Sequence, residues 1–551
     1  MRVVVLVLAL WGCKGGEAPP TSEPAAAGEA LRAPIASVAP AVTEVLSGPH
    51  TQAFVAIEDL AGFSVELERM LAAFPPAFLV GAPPFIADAS ARRAAIGFDP
   101  TRAEGWAEVG LDARAGLALA FDDRLPNRPY LLARITDPVK LRAALTQRGV
   151  VVEAPSALGL LQRTAVNGHP VLLAQRGAWA LILPDAEPEK DAAAFGALAV
   201  ADAPLRDLPE LRDAFSDGIA PLWLSAWTAP ARWPNPAQKL AGGAELAWYA
   251  ERFPAAAYAL GRGDGVLRIL ANPAARASLA KLFTPRSQPP AFSKNLSEVM
   301  AIRFDLNFAQ LFDGLAELIP PDVAELRSNL SMARGLLPMA LGVSLEELDA
   351  ALTGHGMVML AAPNSGRPPA SAALALGVTD GPKTDALLSR ALSVLANRMG
   401  EPTTEAKVGG HPAQVLTMAP YTFVALRVEN MVWIGEKGVV EAALAAAPLP
   451  AGIAAQVDRS MAVGLLMHLS AMPPSVSPGD DARMVFEVSQ RLWSPYLTDG
   501  WMITNIRLDD RGLRVGEGPG GASMLGIAAA IGVPAFIGYR AAAIAAPMSA
   551  P

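Results

Sequence analysis

One cysteine and five histidines in 551 residues leave little for thiol or metal chemistry. A single thiol excludes an internal disulfide and any cysteine-rich metal site. Charge is also scarce, at 18% of residues, against roughly 25% in an average globular chain. Acidic residues outnumber basic ones, 53 to 45, for a net charge of -8. That balance argues against the basic face that nucleic-acid binding requires. The short catalytic signatures are missing as well: no His-Glu-x-x-His, no Gly-x-Ser-x-Gly and no Gly-x4-Gly-Lys. The reading is therefore of a non-enzymatic protein, with no metal and no cofactor.

Apolar residues are plentiful. They make up 52% of the chain, and the mean hydropathy is +0.30. Either membrane segments or large folded cores can produce such values. The N-terminus supplies one source. Arg2 precedes an uncharged apolar run, Val3 to Leu10, far too short to span a bilayer. Leu10-Trp11-Gly12-Cys13 follows, with the chain's only cysteine at its end. This segment resembles the lipobox of bacterial lipoproteins. The resemblance implies a signal peptide over residues 1–12 and acyl chains on Cys13, which would anchor the protein to a membrane. Lys14 is not the aspartate that resembles an inner-membrane retention signal, which favours the outer membrane. Residues 13–47 are rich in Ala, Pro, Gly, Glu and Ser. They read as a disordered tether.

The body reads as a duplication. Val166-Asn167-Gly168-His169-Pro170 recurs as Val408-Gly409-Gly410-His411-Pro412, and Ile135-Thr136-Asp137 as Val378-Thr379-Asp380. Leu224-Ser225-Ala226 recurs as Leu469-Ser470-Ala471, and Phe54–Asp59 resembles Met300–Asp305. All lie about 245 residues apart, a period of domain size. The expected copies are 48–285 and 292–516, joined by a Pro-rich linker. Each copy has strands in hairpins separated by helices. The expected fold class is α+β, with two tandem homologous domains, each a mainly antiparallel sheet with packed helices. Thr136, Asp137, Thr379 and Asp380 are helix-capping types. Asn167-Gly168 and Gly409-Gly410 are hairpin turns. Residues 244–250 read as a strand, and the second copy carries an extra strand at Tyr421–Val428.

Gly97-Phe98-Asp99-Pro100-Thr101 and Gly110-Leu111-Asp112, placed before a small-residue strand, resemble segments of an uncharacterised family of duplicated bacterial envelope lipoproteins. That resemblance implies a location in the cell envelope, facing the periplasm or the surface, and carries no activity. Near the C-terminus, Ala522 to Tyr539 contains no charge. Leu525 to Tyr539, with Pro534 inside, resembles the membrane helix of type IV pilins. As a helix, 18 residues reach roughly 27 Å. Residues 522–540 are thus a candidate membrane-spanning helix, or a tail packed on protein or at an interface.

His169 and His411 recur, yet each follows a turn and precedes proline, so they read as hairpin corners. His355 and His468 read as core or edge histidines. The pairs Asp122-Asp123, Asp480-Asp481 and Asp509-Asp510 read as solvated turns. Trp223, Trp227 and Trp233 cluster locally. Trp223 and Trp227 share strand parity, which predicts one common face for an apolar ligand. The expected partners are the membrane, through Cys13 and residues 522–540, and an apolar ligand or envelope protein. Three functions stay open: a lipoprotein acting as a binding or scaffolding module, a carrier of lipid or another apolar ligand in a groove of the duplicated domains, and, ranked last, an enzyme whose site is assembled from dispersed residues.

Overall fold

The computed structural model describes residues 40–62, 65, 98–99, 102–147, 160–162, 171–216, 222–232, 243–283, 289–361, 371–468 and 499–516, apart from short gaps inside these ranges. The lipobox-like segment with Cys13, His169, Trp233, Asp480-Asp481 and residues 522–540 lie outside them. The fold is α+β, with an extensive antiparallel sheet and several helices. Two compact units divide the chain at Arg268/Ile269, and the second also takes in the segment before Ala255.

In the first unit the strands are β1 (Thr51–Ile57), β2 (Leu117–Asp122), β3 (Tyr130–Arg134), β4 (Leu160–Gln162), β5 (Leu172–Arg176), β6 (Trp179–Leu183), β7 (Leu222–Thr228) and β8 (Ala256–Gly261). The helices are α1 (Ala103–Glu108), α2 (Pro138–Gln147), α3 (Pro188–Ala199) and α4 (Pro209–Ala214). Antiparallel pairing sets the order β4-β5-β6-β3-β2-β1-β7-β8. β1 is central, and its alternation places Phe54 and Ala56 in the core. Gly116, just before β2, has φ +80°, and a Cβ there would sit 1.5 Å from the Ile57 carbonyl oxygen. Only glycine lets the two backbones approach so closely. Asp137 caps α2 as its residue type suggests, its Oδ1 accepting from the Val139 and Lys140 amides at 3.0 Å each.

The first unit begins earlier than composition indicates. Residues 40–47, read above as the end of the tether, are folded. Ala41–Glu44 is a 3-10 turn, and Val42 and Leu46 are buried. The Leu46 carbonyl accepts from the Leu205 amide at 2.8 Å, and the Gly48 amide donates to the Ala203 carbonyl at 2.7 Å. Two apolar residues at i and i+4 suffice to dock this short turn, although the flanking composition is that of a linker.

β9 (Gly265–Leu270) contains the division between the units. The second unit holds α5 (Gly243–Arg252), α6 (Pro273–Leu282), α7 (Leu311–Glu317), α8 (Ala324–Leu341), α9 (Leu345–Ala351), α10 (Gly381–Met399), α11 (Lys437–Leu444) and α12 (Ala451–Val457). Its strands are β10 (Met300–Asp305), β11 (Leu352–Leu360), β12 (Ala372–Val378), β13 (Thr404–Val408), β14 (His411–Met418), β15 (Tyr421–Val428), β16 (Met431–Glu436), β17 (Val463–His468), β18 (Trp501–Leu508) and β19 (Gly512–Val515). The antiparallel order is β13-β14-β15-β16-β12-β11-β10-β17-β18-β19. The strand expected at Tyr421–Val428 is β15. Its core gathers Met357, Ala375, Trp433, Val440 and Leu466. β11 is nearly continuously buried, as a central strand covered on both faces would be. Asp380 caps α10 by accepting from the Lys383 amide at 3.1 Å, and Gly400 ends it at φ +73°.

Two segments differ from expectation. Residues 244–250 form helix α5, not a strand. Ala, Glu and Leu favour helix here, and Arg252 sits 4.2 Å over the Trp248 ring, four residues back on the same helical face. Residues 269–283 precede the repeat boundary at 285 but pack in the second unit. There Ser278 Oγ donates to Glu317 at 3.0 Å, Lys281 pairs with the same carboxylate, and the Leu282 carbonyl accepts from Asn307 at 2.8 Å.

Candidate functional site

The densest polar constellation among the described residues lies where β10 ends. Register pairs Asp305 directly with His355 of β11. His355 Nδ1 approaches Asp305 Oδ1 at 2.6 Å, and Arg303 Nη1 reaches the same oxygen at 2.5 Å. Oδ2 accepts from Ser460 Oγ and from the Met461 amide, both at 2.7 Å. Arg303 also donates to the Gly356 carbonyl at 3.1 Å and lies 4.5 Å over the Phe292 ring. Arg303, Asp305 and His355 are 0%, 1% and 0% exposed.

Burial pushes the Asp305 carboxyl upward, but the bond from His355, the Arg303 charge and the Ser460 hydroxyl outweigh it. The carboxyl ends below its ordinary range. Burial holds the Arg303 guanidinium below its ordinary value, partly offset by Asp305. A His–Asp pair with a nearby serine has the residue types of nucleophilic catalysis. The geometry differs: Ser460 bonds to the carboxylate, and both carboxylate oxygens are already engaged. The arrangement is a closed clamp tying β10, β11 and the turn before β17 together.

A smaller counterpart lies at the end of β1. Glu58 accepts from Ser225 Oγ at 2.8 Å and from the Ala41 amide at 3.0 Å. Burial raises its carboxyl, and the two bonds counter this in part. Asp122, read above as part of a solvated turn, is instead 1% exposed and held by both Arg124 Nε and Nη2 at 2.8 Å. The pairing turns an expected surface carboxylate into a buried ion pair, whereas its neighbour Asp123 bonds the half-exposed His50 at 2.9 Å. Asp509 accepts from the Arg511 and Gly512 amides in a turn. His411 is exposed and opens β14 directly after Gly409-Gly410, both at positive φ. His468 stacks on Trp501 at 4.7 Å. Among the described residues no cluster of His, Cys, Asp and Glu is suited to a metal ion.

Of the tryptophans expected to form a ligand face, only the side chain of Trp227 lies within the described residues. Trp227 is buried, stacked 6.4 Å from Phe54, with Arg232 5.5 Å from its ring. It packs the core under β1 and is not open to a ligand. Pairing of β7 with β8 slips between Leu222 and Leu224, so strand alternation is broken at Trp223.

Nothing in the sequence marks Arg303, Asp305 and His355 as partners, since β11 lies some fifty residues beyond β10. The one signal was His355 itself, a lone polar ring in an apolar strand.

No family model and no curated protein matches the chain. Solved structures titled "Structure of crystal form IV of TP0453", "Structure of crystal form I of TP0453" and "Structure of crystal form III of TP0453" are similar at 10%, 12% and 13% identity. They cover 42%, 42% and 43% of this chain and 79%, 79% and 82% of theirs, each with a TM-score of 0.23. A likeness of that size carries no argument about function.

Proposed function

We propose that this protein is a non-enzymatic envelope lipoprotein, anchored through Cys13, whose folded body serves as a binding or scaffolding module. The observation that carries the reading is Leu10-Trp11-Gly12-Cys13, which places the chain's only cysteine behind an apolar run and a small residue. The lipobox resemblance makes Cys13 the acylated residue and the bacterial cell envelope the location. Lys14 favours the outer membrane over the inner. We further propose that 48–285 and 292–516 descend from one duplicated domain. The shared order β3-β2-β1-β7-β8 and β12-β11-β10-β17-β18 supports this. No helix among the described residues is long and apolar enough to cross a membrane. A spanning role for 522–540 is therefore a separate proposal.

The test is metabolic labelling with a palmitate analogue in a Gram-negative host, followed by mass spectrometry of the mature N-terminus. The expected result is label on the parent chain and none on Cys13→Ser. An unlabelled parent with an intact N-terminus, or one cut elsewhere than before Cys13, would overturn the anchor.

A further inference from the structure

Strand β13 forms one edge of the second unit's sheet. Among the described residues it pairs with β14 alone, in a register running from Thr404↔Val415 to Val408↔His411. Gly409-Gly410, both at positive φ, join the two strands. Across such a two-residue turn the flanking residues, here Val408 and His411, form a hydrogen-bonded pair. Bonded and non-bonded pairs then alternate along an antiparallel ladder. Thr404 and Ala406 are thus bonded to β14, whereas Glu405, opposite Gln414, and Lys407, opposite Pro412, are not. Pro412 has no N–H to donate, which suits it to a non-bonded place. The backbone amides and carbonyls of Glu405 and Lys407 therefore point away from β14, along the open edge. Residues 404–407 are exposed, and among the described residues neither Glu405 nor Lys407 has an ion-pair partner.

We propose that β13 pairs with β13 of a second copy of this chain, antiparallel about a two-fold axis at Ala406. An open strand edge presents a row of N–H and C=O groups that another extended backbone satisfies. The sequence Thr404-Glu405-Ala406-Lys407-Val408 selects the partner, because reversing it exchanges its two charges. With Ala406 opposite its own mate, Glu405 stands opposite Lys407 of the second copy, and Lys407 opposite Glu405. Opposite charges directly across a strand pair attract. The same two residues carry the outward-turned backbone groups, so the charge pairs and the new hydrogen-bonded pairs coincide. The neighbouring two-fold registers fail. An axis at Glu405 sets glutamate against glutamate, and one at Lys407 sets lysine against lysine. Charge on an edge strand ordinarily guards against such pairing. Here the guard is cancelled in one register and kept in the others. A two-fold contact of this kind closes at two copies and covers both edges. The strand is short beside the roughly 800 Å² per partner of a stable interface, so the dimer is weak and forms at high local concentration. The proposal makes no use of the Cys13 anchor.

The test uses the full chain carrying Cys13→Ser, so that one introduced cysteine reports which positions meet. Ala406→Cys puts the thiol on the axis. Its mate then lies about 4.5 Å away between Cα atoms, within the span of a disulfide. Thr404→Cys is the control, exposed on the same strand but roughly 14 Å from its mate in this register. In a glutathione redox buffer, a disulfide-linked dimer is expected at 406 and none above background at 404. In the Ala406→Cys chain, Glu405→Lys and Lys407→Glu should each lower the dimer yield about tenfold, since two attractive pairs become repulsive. Mixing those two variants should restore the yield, because lysine then meets glutamate at both places. That recovery also shows that each variant folds with a competent edge. Three results would each overturn the proposal. Equal yields at 404 and 406 would mean random collision. No dimer at 406 would leave the edge to another protein's strand. A dimer at 406 indifferent to both charge reversals would remove the self-complementary register. None of these outcomes bears on acylation of Cys13, which the palmitate experiment decides separately.

Discussion

His355 Nδ1 lies 2.6 Å from Asp305 Oδ1, across a register pair that buries both side chains almost completely. With Arg303 on the same oxygen and Ser460 and Met461 on the other, the carboxylate is fully satisfied. A buried charge of this kind is tolerated only while its partners remain.

Asp305→Asn should therefore destabilise the second unit by about 3–5 kcal/mol, because it leaves the buried Arg303 without its counter-ion. The carboxyl sits below its ordinary value, since His355, Arg303 and Ser460 outweigh burial. A depressed folded value adds stability above the unfolded value near ~3.9 and loses it as pH falls through the folded one. Denaturant titrations should show the parent losing stability below about pH 4, with that acid limb diminished in Asp305→Asn. A variant as stable as the parent would mean the clamp is dispensable.

Glu58 shows the opposite sign. Burial raises its carboxyl, and Ser225 and the Ala41 amide offset this in part. Its contribution is thus most favourable below the unfolded value near ~4.3 and declines as pH rises toward the raised folded one. Glu58→Gln should flatten that decline. Ser225→Ala should cost about 1–3 kcal/mol by removing a donor from a buried acceptor, and should raise the carboxyl further. Thermal melts from pH 4 to 8 would separate the two variants.

Trp227→Ala should cost about 3–5 kcal/mol, from the cavity it opens beside Phe54. Trp227→Phe should recover most of that loss. Were Trp227 a ligand platform, stability would change little and binding of apolar dyes would fall. Parallel chemical denaturation and dye binding distinguish these outcomes.

The readable parts of this fold were those with local causes. Strands such as Tyr421–Val428 and Trp501–Leu508 carry their own apolar pattern. Asp137 and Asp380 cap because their short carboxylates reach amides two or three residues on. Gly409-Gly410 turns because both glycines accept positive φ. Residues 244–250 fit a strand pattern for a local reason too: the segment is short, and apolar residues spaced by one or two fit either period. The bulge at Trp223 is invisible locally, since it depends on which residue of β8 stands opposite.

The sequence by itself determined the near-repeat at about 245 residues, the caps at Asp137 and Asp380, the turn at Gly409-Gly410 and the α+β mixture. Each depends on residues close together in the chain. Tertiary structure alone decided that His355 meets Asp305, that Asp122 is buried with Arg124, that Trp227 faces the core, and that Met332 and Met339 of α8 are exposed. Burial and pairing depend on which distant strand or helix arrives opposite a residue. No local pattern encodes that, because the same apolar side chain satisfies a helix period whether its face meets protein or is left open.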